Sequence, residues 1–425
     1  MTFAIFLVAL LGSMAMGVPI AFALLLCGVA LMGLQGGVDA TILSQKLLEG
    51  ADSFPLLAIP FFMLAGELMN AGGLSRRIVA FALAWVGHFR GGLGYVAILS
   101  SVVLAALSGS AIADAAALGA MLIPMMREAG YRVPRAAGLI AAGSVIAPVF
   151  PPSVALIVFG VIANVSIGKL FMAAIAPGLL MGLSLVLVWA WVSRHEPVKP
   201  LPRRSLRQRL RAGADGLWAL AMPVGIIGGM KLGIFTPTEA AVGATAYAFL
   251  VGKFVYRELR WQELRPLLVR SAKGTAVVVF LIAAALVSAW MITVSELPGQ
   301  ITALLEPFMD SPRLLMFLIM LVVVLVGTAL DFAPTVMILT PVLMPIVAQA
   351  GIDPVYFGVL FIMNNAIGLI TPPVGVVLNV IGGTARISMN AAARGALPFL
   401  AAELVVLALL VVFPELVLVP LRWLT

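Results

Sequence analysis

Long stretches of this chain, among them 1–38, 91–113, 136–168, 170–193, 274–295 and 355–385, exceed 20 residues without one Asp, Glu, Lys or Arg. About 20 apolar residues cross a bilayer as a helix. In lipid, each backbone polar group has to be satisfied internally. The chain of 425 residues is 63% hydrophobic and only 10% charged, which predicts an all-α polytopic membrane protein. The alternating ten-residue segments of an outer-membrane barrel are absent. The N-terminal "MTFAIFLVALLG" lacks a basic n-region and a small-residue cleavage site, so the first apolar segment is expected to remain as a membrane helix. Cys27 is the single cysteine, which excludes disulfides and reads as core filler. The net charge of +8 comes from basic residues in short loops, where they set topology rather than bind nucleic acid.

Shifted against itself by 221 residues, the chain places Pro124 on Pro345, Gly130 on Gly351, Pro151-Pro152 on Pro372-Pro373 and Pro177 on Pro398. Two structural repeats, 1–200 and 216–425, are therefore expected, joined by a basic linker at 201–215. Charge changes sign between counterpart loops. Segment 194–211 holds seven Lys/Arg and one Glu, against one Glu and one Arg at the C-terminus. Segment 127–135 holds three Arg and one Glu, against Asp353 alone. Segment 70–92 has three Arg and no acid, while 291–313 has three acids and one Arg. Segment 32–52 has one Lys and three acids, while 253–273 has six basic and two acidic residues. Basic loops prefer the cytoplasm. The repeats should then be inverted, with 127–135, 194–211 and 253–273 inside and both termini outside. Inverted repeats with interrupted helices are a transporter pattern.

Two of the charge-free segments are interrupted at their middle. Pro148, Pro151 and Pro152 break 136–166, and Pro372 and Pro373 break 355–385. Proline removes a backbone donor and clashes with the preceding turn, and the residue before it turns extended. Each segment is expected to be helix, unwound loop, helix; a packed proline kink is the plainer alternative. An unwound break frees carbonyls for a cation on one side and amides for an anion on the other. Ser144, Ser153, Asn364, Asn365 and Thr371 add hard oxygens. Ahead of each break lies a second unusual element, at about 95–127 and 314–348. Each has two apolar arms around a small polar tip: Ser108-Gly109-Ser110 with Asp114, and Gly327-Thr328 with Asp331. The arm Val96–Leu107 spans about 18 Å, too short to cross, which predicts re-entrant hairpins. Asp114 and Asp331 are either functional intramembrane carboxylates or helix N-caps.

Enzymatic motifs are missing: there is no HExxH, Walker loop, G-x-S-x-G or cysteine pair, and the two histidines, His88 and His195, lie near basic loops. An inventory of hydroxyls, amides and carbonyls suits Na⁺ rather than a transition metal. Thr236 and Glu239 have the spacing of a capping box. Arg76, Arg77, His88 and Arg90 fit an interfacial arm helix with snorkelling cations.

The motifs "SGSAIADAAALGAMLIPMM", "FTPTEAAVGA", "NAIGLITPPVGVVLNV", "GELMNAGGLSRRI" and "PPSVALIVFGVIANVSIGKLF" resemble the large membrane (M, or DctM-like) subunit of tripartite ATP-independent periplasmic (TRAP) transporters across essentially the whole chain. The resemblance implies an elevator-type transporter of the ion-transporter superfamily in the bacterial inner membrane. It implies Na⁺-driven uptake of an organic acid delivered by a periplasmic binding protein (the P subunit), with no cofactor beyond Na⁺ as coupling ion. It also implies a small Q subunit of about four helices, expected here as a separate chain. By the same resemblance, one Na⁺ site lies between Ser108-Gly109-Ser110 and the break from Ser144 to Pro148. The other lies between Gly327, Thr328 and Asp331 and the break from Asn365 to Thr371. The substrate carboxylate falls near Pro152-Ser153 and Pro373-Val374. Asp114, Pro151, Pro372 and Asn364 organise these sites. Glu67 contacts either the Q subunit or a polar scaffold partner. A standalone Na⁺-coupled dicarboxylate symporter is the alternative within transport; a channel or passive scaffold subunit is the alternative outside it.

Overall fold

The computed structural model describes residues 2–424 other than 197, 199, 297–298, 300–304 and 330–331, and every regular element among them is helical. In chain order these are α1 (Thr2–Ala15), α2 (Ile20–Leu34), α3 (Ala40–Ala51), α4 (Ala58–Ala71), α5 (Leu74–Val86), α6 (Gly92–Ser108), α7 (Ala111–Glu128), α8 (Val133–Ser144), α9 (Val154–Ile162) and α10 (Ile167–Val192). The second half holds α11 (Leu206–Lys231), α12 (Pro237–Leu250), α13 (Trp261–Val294), α14 (Pro312–Ala329), α15 (Phe332–Gln349), α16 (Pro354–Gly368), α17 (Val376–Ala385), α18 (Met389–Val412) and α19 (Glu415–Leu424). Six helices, among the described residues, are long and apolar enough to cross a membrane.

Local chemistry sets the helix starts. Asp39, Ser110, Ser153, Ser166, Asp353 and Ser388 each precede a helix and accept hydrogen bonds from its first free amides. Such caps satisfy donors that the helix cannot. The Thr236 amide donates to Glu239 Oε2 at 2.8 Å and the Glu239 amide donates to Thr236 Oγ1 at 3.3 Å, the capping box expected from their spacing. A second box, between Ser205 and Gln208, starts α11 at Leu206, inside the segment expected as linker. Arg207, Arg209 and Arg211 therefore sit on the first turns of a helix.

The offset of 221 residues reappears in the element boundaries. α7 and α15 begin and end at that offset, α8 and α16 begin at it, and so do α3 and α13. Packing partners are exchanged between the halves. α8 packs on α18 as α16 packs on α10, α7 on α17 as α15 on α9, and α4 on α12 as α2 on α13. A two-fold relation generates such exchange. One departure stands out: Ser53-Phe54-Pro55 separates α3 from α4 through a 3₁₀ turn, while the matching α13 runs unbroken for 34 residues. The first hairpin arm, α6, begins at Gly92 and has 17 residues, longer than the twelve-residue arm read from the sequence.

The interrupted helices form the centre. Residues 136–153 and 355–370 are buried throughout. Phe159 of α9 meets Phe357 and Phe361 of α16 with ring centroids 6.1 and 5.9 Å apart. At the periphery, Leu206, Leu210, Leu217 and Val224 form an exposed stripe on α11, spaced to share one helical face. A bilayer covers surface of this kind.

Close backbone contact joins α8 to α18. A Cβ on Gly395 would lie 1.8 Å from the Pro134 carbonyl oxygen. Gly395→Ala is expected to cost about 1–3 kcal/mol through overpacking. Thermal unfolding of the detergent-solubilised chain checks this: the midpoint falls for G395A and does not fall for G243A, whose Cβ would meet nothing within 4 Å.

Candidate functional site

The first tip is a two-residue reversal between α6 and α7. Gly109 takes φ +61, a left-handed conformation that glycine adopts without a Cβ penalty. Ser110 caps α7 by accepting from the Ala113 amide at 3.3 Å, and the Ser110 amide donates to Ser108 Oγ at 3.3 Å. The cap is thus Ser110 and not Asp114. Asp114 lies in the first turn of α7, 3% exposed, with its carboxyl beside the Ser108 side chain and Oδ2 without a hydrogen-bond partner among the described residues. The tip sits against the far side of the first break: a Cβ on Gly109 would be 3.4 Å from the Pro152 carbonyl oxygen and 3.5 Å from the Val154 amide.

Ser153 ties that break together. Its hydroxyl donates to the Pro148 carbonyl at 2.5 Å, and Oγ accepts from the Ala155 and Leu156 amides at 3.2 and 3.4 Å. Ser144, also fully buried, donates to Ile140 O at 2.7 Å. The Pro151-Pro152 bond is cis, as is Pro372-Pro373 at the matching place.

At the second tip the backbones meet. A Cβ on Gly368 would be 2.9 Å from the Gly327 carbonyl group, and one on Gly327 would be 3.2 Å from Asn365 Oδ1. Asn365 Nδ2 donates to Phe332 O at 2.9 Å, and Asn364 Nδ2 donates to Met320 O at 2.5 Å. Both amides are fully buried, and among the described residues the Oδ1 of each lacks a hydrogen-bond partner. Thr328 and Thr371 donate to carbonyls of their own helical turns, Leu325 O at 2.8 Å and Ile367 O at 2.9 Å. Asp331 lies outside the described residues.

A cavity of about 240 Å³ joins the two halves. Ser108, Gly109, Ser110, Pro148 and Val154 line it from the first half, with Phe332, Ala333 and Leu369 from the second. Met63 of α4 and Val278 of α13 close one wall. Ser144, Asn364 and Asn365 are not among its lining residues. The breaks differ in cover. Pro151, Pro152 and Ser153 are buried, whereas Pro372, Pro373 and Val374 are exposed. The start of α9 is capped by Ser153, whereas α17 follows Gly375 with no side-chain cap. Val374 O accepts from Asn379 Nδ2 at 3.0 Å. At the start of α17 the Val377 amide donates to Leu369 O at 3.1 Å, within the interrupted segment itself.

Glu403 was missed by motif reading. It is fully buried in α18, and neither carboxyl oxygen has a hydrogen-bond partner among the described residues. As the only ionisable residue between Arg394 and Glu415, it carried the signal of a lone charge inside an apolar run. Glu67 accepts from Nε and Nη2 of Arg270 at 3.1 Å, joining α4 to α13, so its polar partner lies within the chain.

The model of the tripartite ATP-independent periplasmic transporter, DctM component, matches residues 7–416. The chain is 54% identical to the 2,3-diketo-L-gulonate TRAP transporter large permease protein YiaN of Escherichia coli strain K12, over 99% of both chains. It is 38% identical to the sialic acid TRAP transporter large permease protein SiaM of Vibrio cholerae, over 95% of both. It is also 38% identical to the C4-dicarboxylate TRAP transporter large permease protein DctM of Pseudomonas aeruginosa, over 92% of this chain and 94% of that one. Among solved structures, the Alcanivorax borkumensis YdaH transporter has the same fold, with a TM-score of 0.65 and 16% identity over 88% of this chain and 89% of that one. The chain belongs to the DctM family: it is a multi-pass TRAP transporter large permease subunit, and not an enzyme.

Proposed function

We propose that this permease subunit couples Na⁺ entry to uptake of a sugar-derived carboxylate across the bacterial inner membrane. A periplasmic binding protein delivers the substrate, and a separate small Q subunit supports the scaffold. The observation that carries the Na⁺ assignment is Asn365 Oδ1, a buried oxygen without a hydrogen-bond partner among the described residues, beside Gly327 at a hairpin tip. An unpaired acceptor in a buried place costs about 1–3 kcal/mol, and a cation relieves that cost. On the first side Ser108 Oγ and the Pro148 carbonyl already accept from the Ser110 amide and the Ser153 hydroxyl, and each keeps a second lone pair for an ion. Hard oxygens select Na⁺ over softer metals.

The carboxylate is assigned to the uncapped start of α17, at Pro373, Val374 and Gly375. The matching amides of α9 are already taken by Ser153. The identity to a 2,3-diketo-L-gulonate permease favours a sugar acid over a C4-dicarboxylate. The reciprocal packing of the halves and the sign change in loop charge support inverted repeats. Their basic loops 127–135, 194–211 and 253–273 face the cytoplasm, and both termini face the periplasm. The core of hairpins and interrupted helices then moves against the α2, α4, α12 and α13 scaffold in an elevator motion. The covered first break and the open second break suit alternating access from two sides.

Uptake of 2,3-diketo-L-gulonate in proteoliposomes, with the Q subunit and the binding protein added, tests the assignment. Uptake is expected to require an inward Na⁺ gradient and to fall severely in the Ser108→Ala, Ser110→Ala double variant. Uptake indifferent to the gradient overturns the coupling. Uptake by this chain without the binding protein favours the standalone symporter.

Coupling is reciprocal, so saturating Na⁺ should raise substrate affinity by about 5–150-fold. Asn365→Leu should raise the half-saturating Na⁺ concentration by about tenfold, from the loss of a 1–3 kcal/mol interaction. Gly368→Ala, which drives a Cβ against Gly327, should weaken Na⁺ binding while leaving the first tip intact. Na⁺-dependent substrate binding by calorimetry measures all three.

A further inference from the structure

A groove of about 1000 Å³ lies away from the transport cavity, between α5, the segment before α11 and the start of α11 itself. Five arginines line it: Arg76, Arg77, Arg203, Arg204 and Arg211. Its carboxylates are Asp215 and Glu258. Glu258 is committed to two of the arginines, Arg76 and Arg77, the latter at 2.7 Å. Arg77 is further held over the Tyr256 ring, 3.6 Å from its centroid. Among the described residues, Arg203, Arg204 and Arg211 form no ion pair with a carboxylate.

Two features make this an anion site rather than a solvated surface. Arg207, Arg209 and Arg211 occupy the first turns of α11, where the helix already presents its positive end. Cations gathered there repel one another and the dipole, and an anion removes that penalty. The positive field also reaches His88, whose imidazole is held below its ordinary range by burial and then by the charges of Arg209 and Arg203. The adjoining face identifies the kind of anion. Trp218, 46% exposed, and Val255, 44% exposed, line the groove itself, and the exposed apolar stripe Leu206, Leu210, Leu217 and Val224 runs further round the circumference of α11. A free phosphate uses none of that stripe. A phospholipid uses both surfaces, its headgroup among the arginines and its acyl chains along α11. Basic pockets at the ends of membrane helices bind anionic headgroups in this manner.

We propose that the groove between α5 and α11 binds an anionic phospholipid. The site is separate from the ion and substrate cavity, and it does not rest on the Na⁺ assignment. A bound lipid would fasten the connection between the two halves to the scaffold helix α5.

The test is thermal unfolding of the full chain, delipidated in detergent, titrated with dioleoyl phosphatidylglycerol, dioleoyl phosphatidylcholine or inorganic phosphate. The expected result is a saturable rise in the midpoint with phosphatidylglycerol alone. The R204Q/R211Q variant, referred to its own lipid-free midpoint, should need about tenfold more lipid for half-saturation. R422Q, a basic residue outside the groove, should respond as the unmodified chain does. R204Q alone, a change in an exposed loop residue, gives a smaller shift in the same direction should the double variant be unstable. Equal stabilisation by phosphatidylcholine overturns the proposal. So does an equal effect of inorganic phosphate, which would make the groove a site for the free anion. Unaltered phosphatidylglycerol binding by both R204Q/R211Q and R204Q also overturns it.

Discussion

An unpaired backbone or amide group cannot be left facing lipid, and the architecture follows from that constraint. Prolines at Pro151-Pro152 and Pro372-Pro373 remove backbone donors and interrupt the helical ladder within apolar segments, between α8 and α9 and between α16 and α17. Such backbone is tolerated only inside protein or beside a cavity. The chain therefore places residues 136–153 and 355–370 at its centre. It surrounds them with long apolar helices whose outer faces, such as the leucine stripe of α11, suit acyl chains. Small residues permit the wrapping. Gly395 against Pro134 and Gly368 against Gly327 bring backbones closer than any side chain would allow.

The same constraint distinguishes the two halves. In the first break the polar groups satisfy one another: Ser153 takes the Pro148 carbonyl and two amides of α9. In the second, Asn364 and Asn365 use their Nδ2 groups on protein carbonyls and leave each Oδ1 unpaired among the described residues, while the start of α17 has no side-chain cap. A covered break in one repeat thus has an exposed counterpart in the other, at Pro372, Pro373 and Val374. The two meet across a single cavity lined by both hairpin tips' neighbours, from Ser108 to Phe332 and Leu369.

Much of this was legible in the sequence because prolines and charges act locally. The double prolines located both breaks, the offset of 221 residues matched α7 to α15 and α8 to α16, and the tip at Ser108-Gly109-Ser110 fell at the observed turn. Asymmetry was harder to read. Nothing in a matched pair of Pro-Pro motifs says that Ser153 will cap its helix while Val374 lies exposed; that depends on which neighbour covers each loop. The cap falls at Ser110 rather than at Asp114, which lies a full helical turn further on. The separation of α3 from α4, where α13 runs on, reflects Pro55 acting in one half alone. Glu403 went unnoticed because no motif surrounds it, and its burial arises only from packing of α18 among α8, α10 and α16.

The central claim is that the unpaired oxygens at the hairpin tips and breaks hold the coupling ion. Equilibrium binding of radiolabelled sodium to the purified chain tests it most directly. The account predicts saturable binding that substrate strengthens and that Asn365→Leu weakens. Absent binding, or binding unchanged by both the substrate and the substitution, would contradict it.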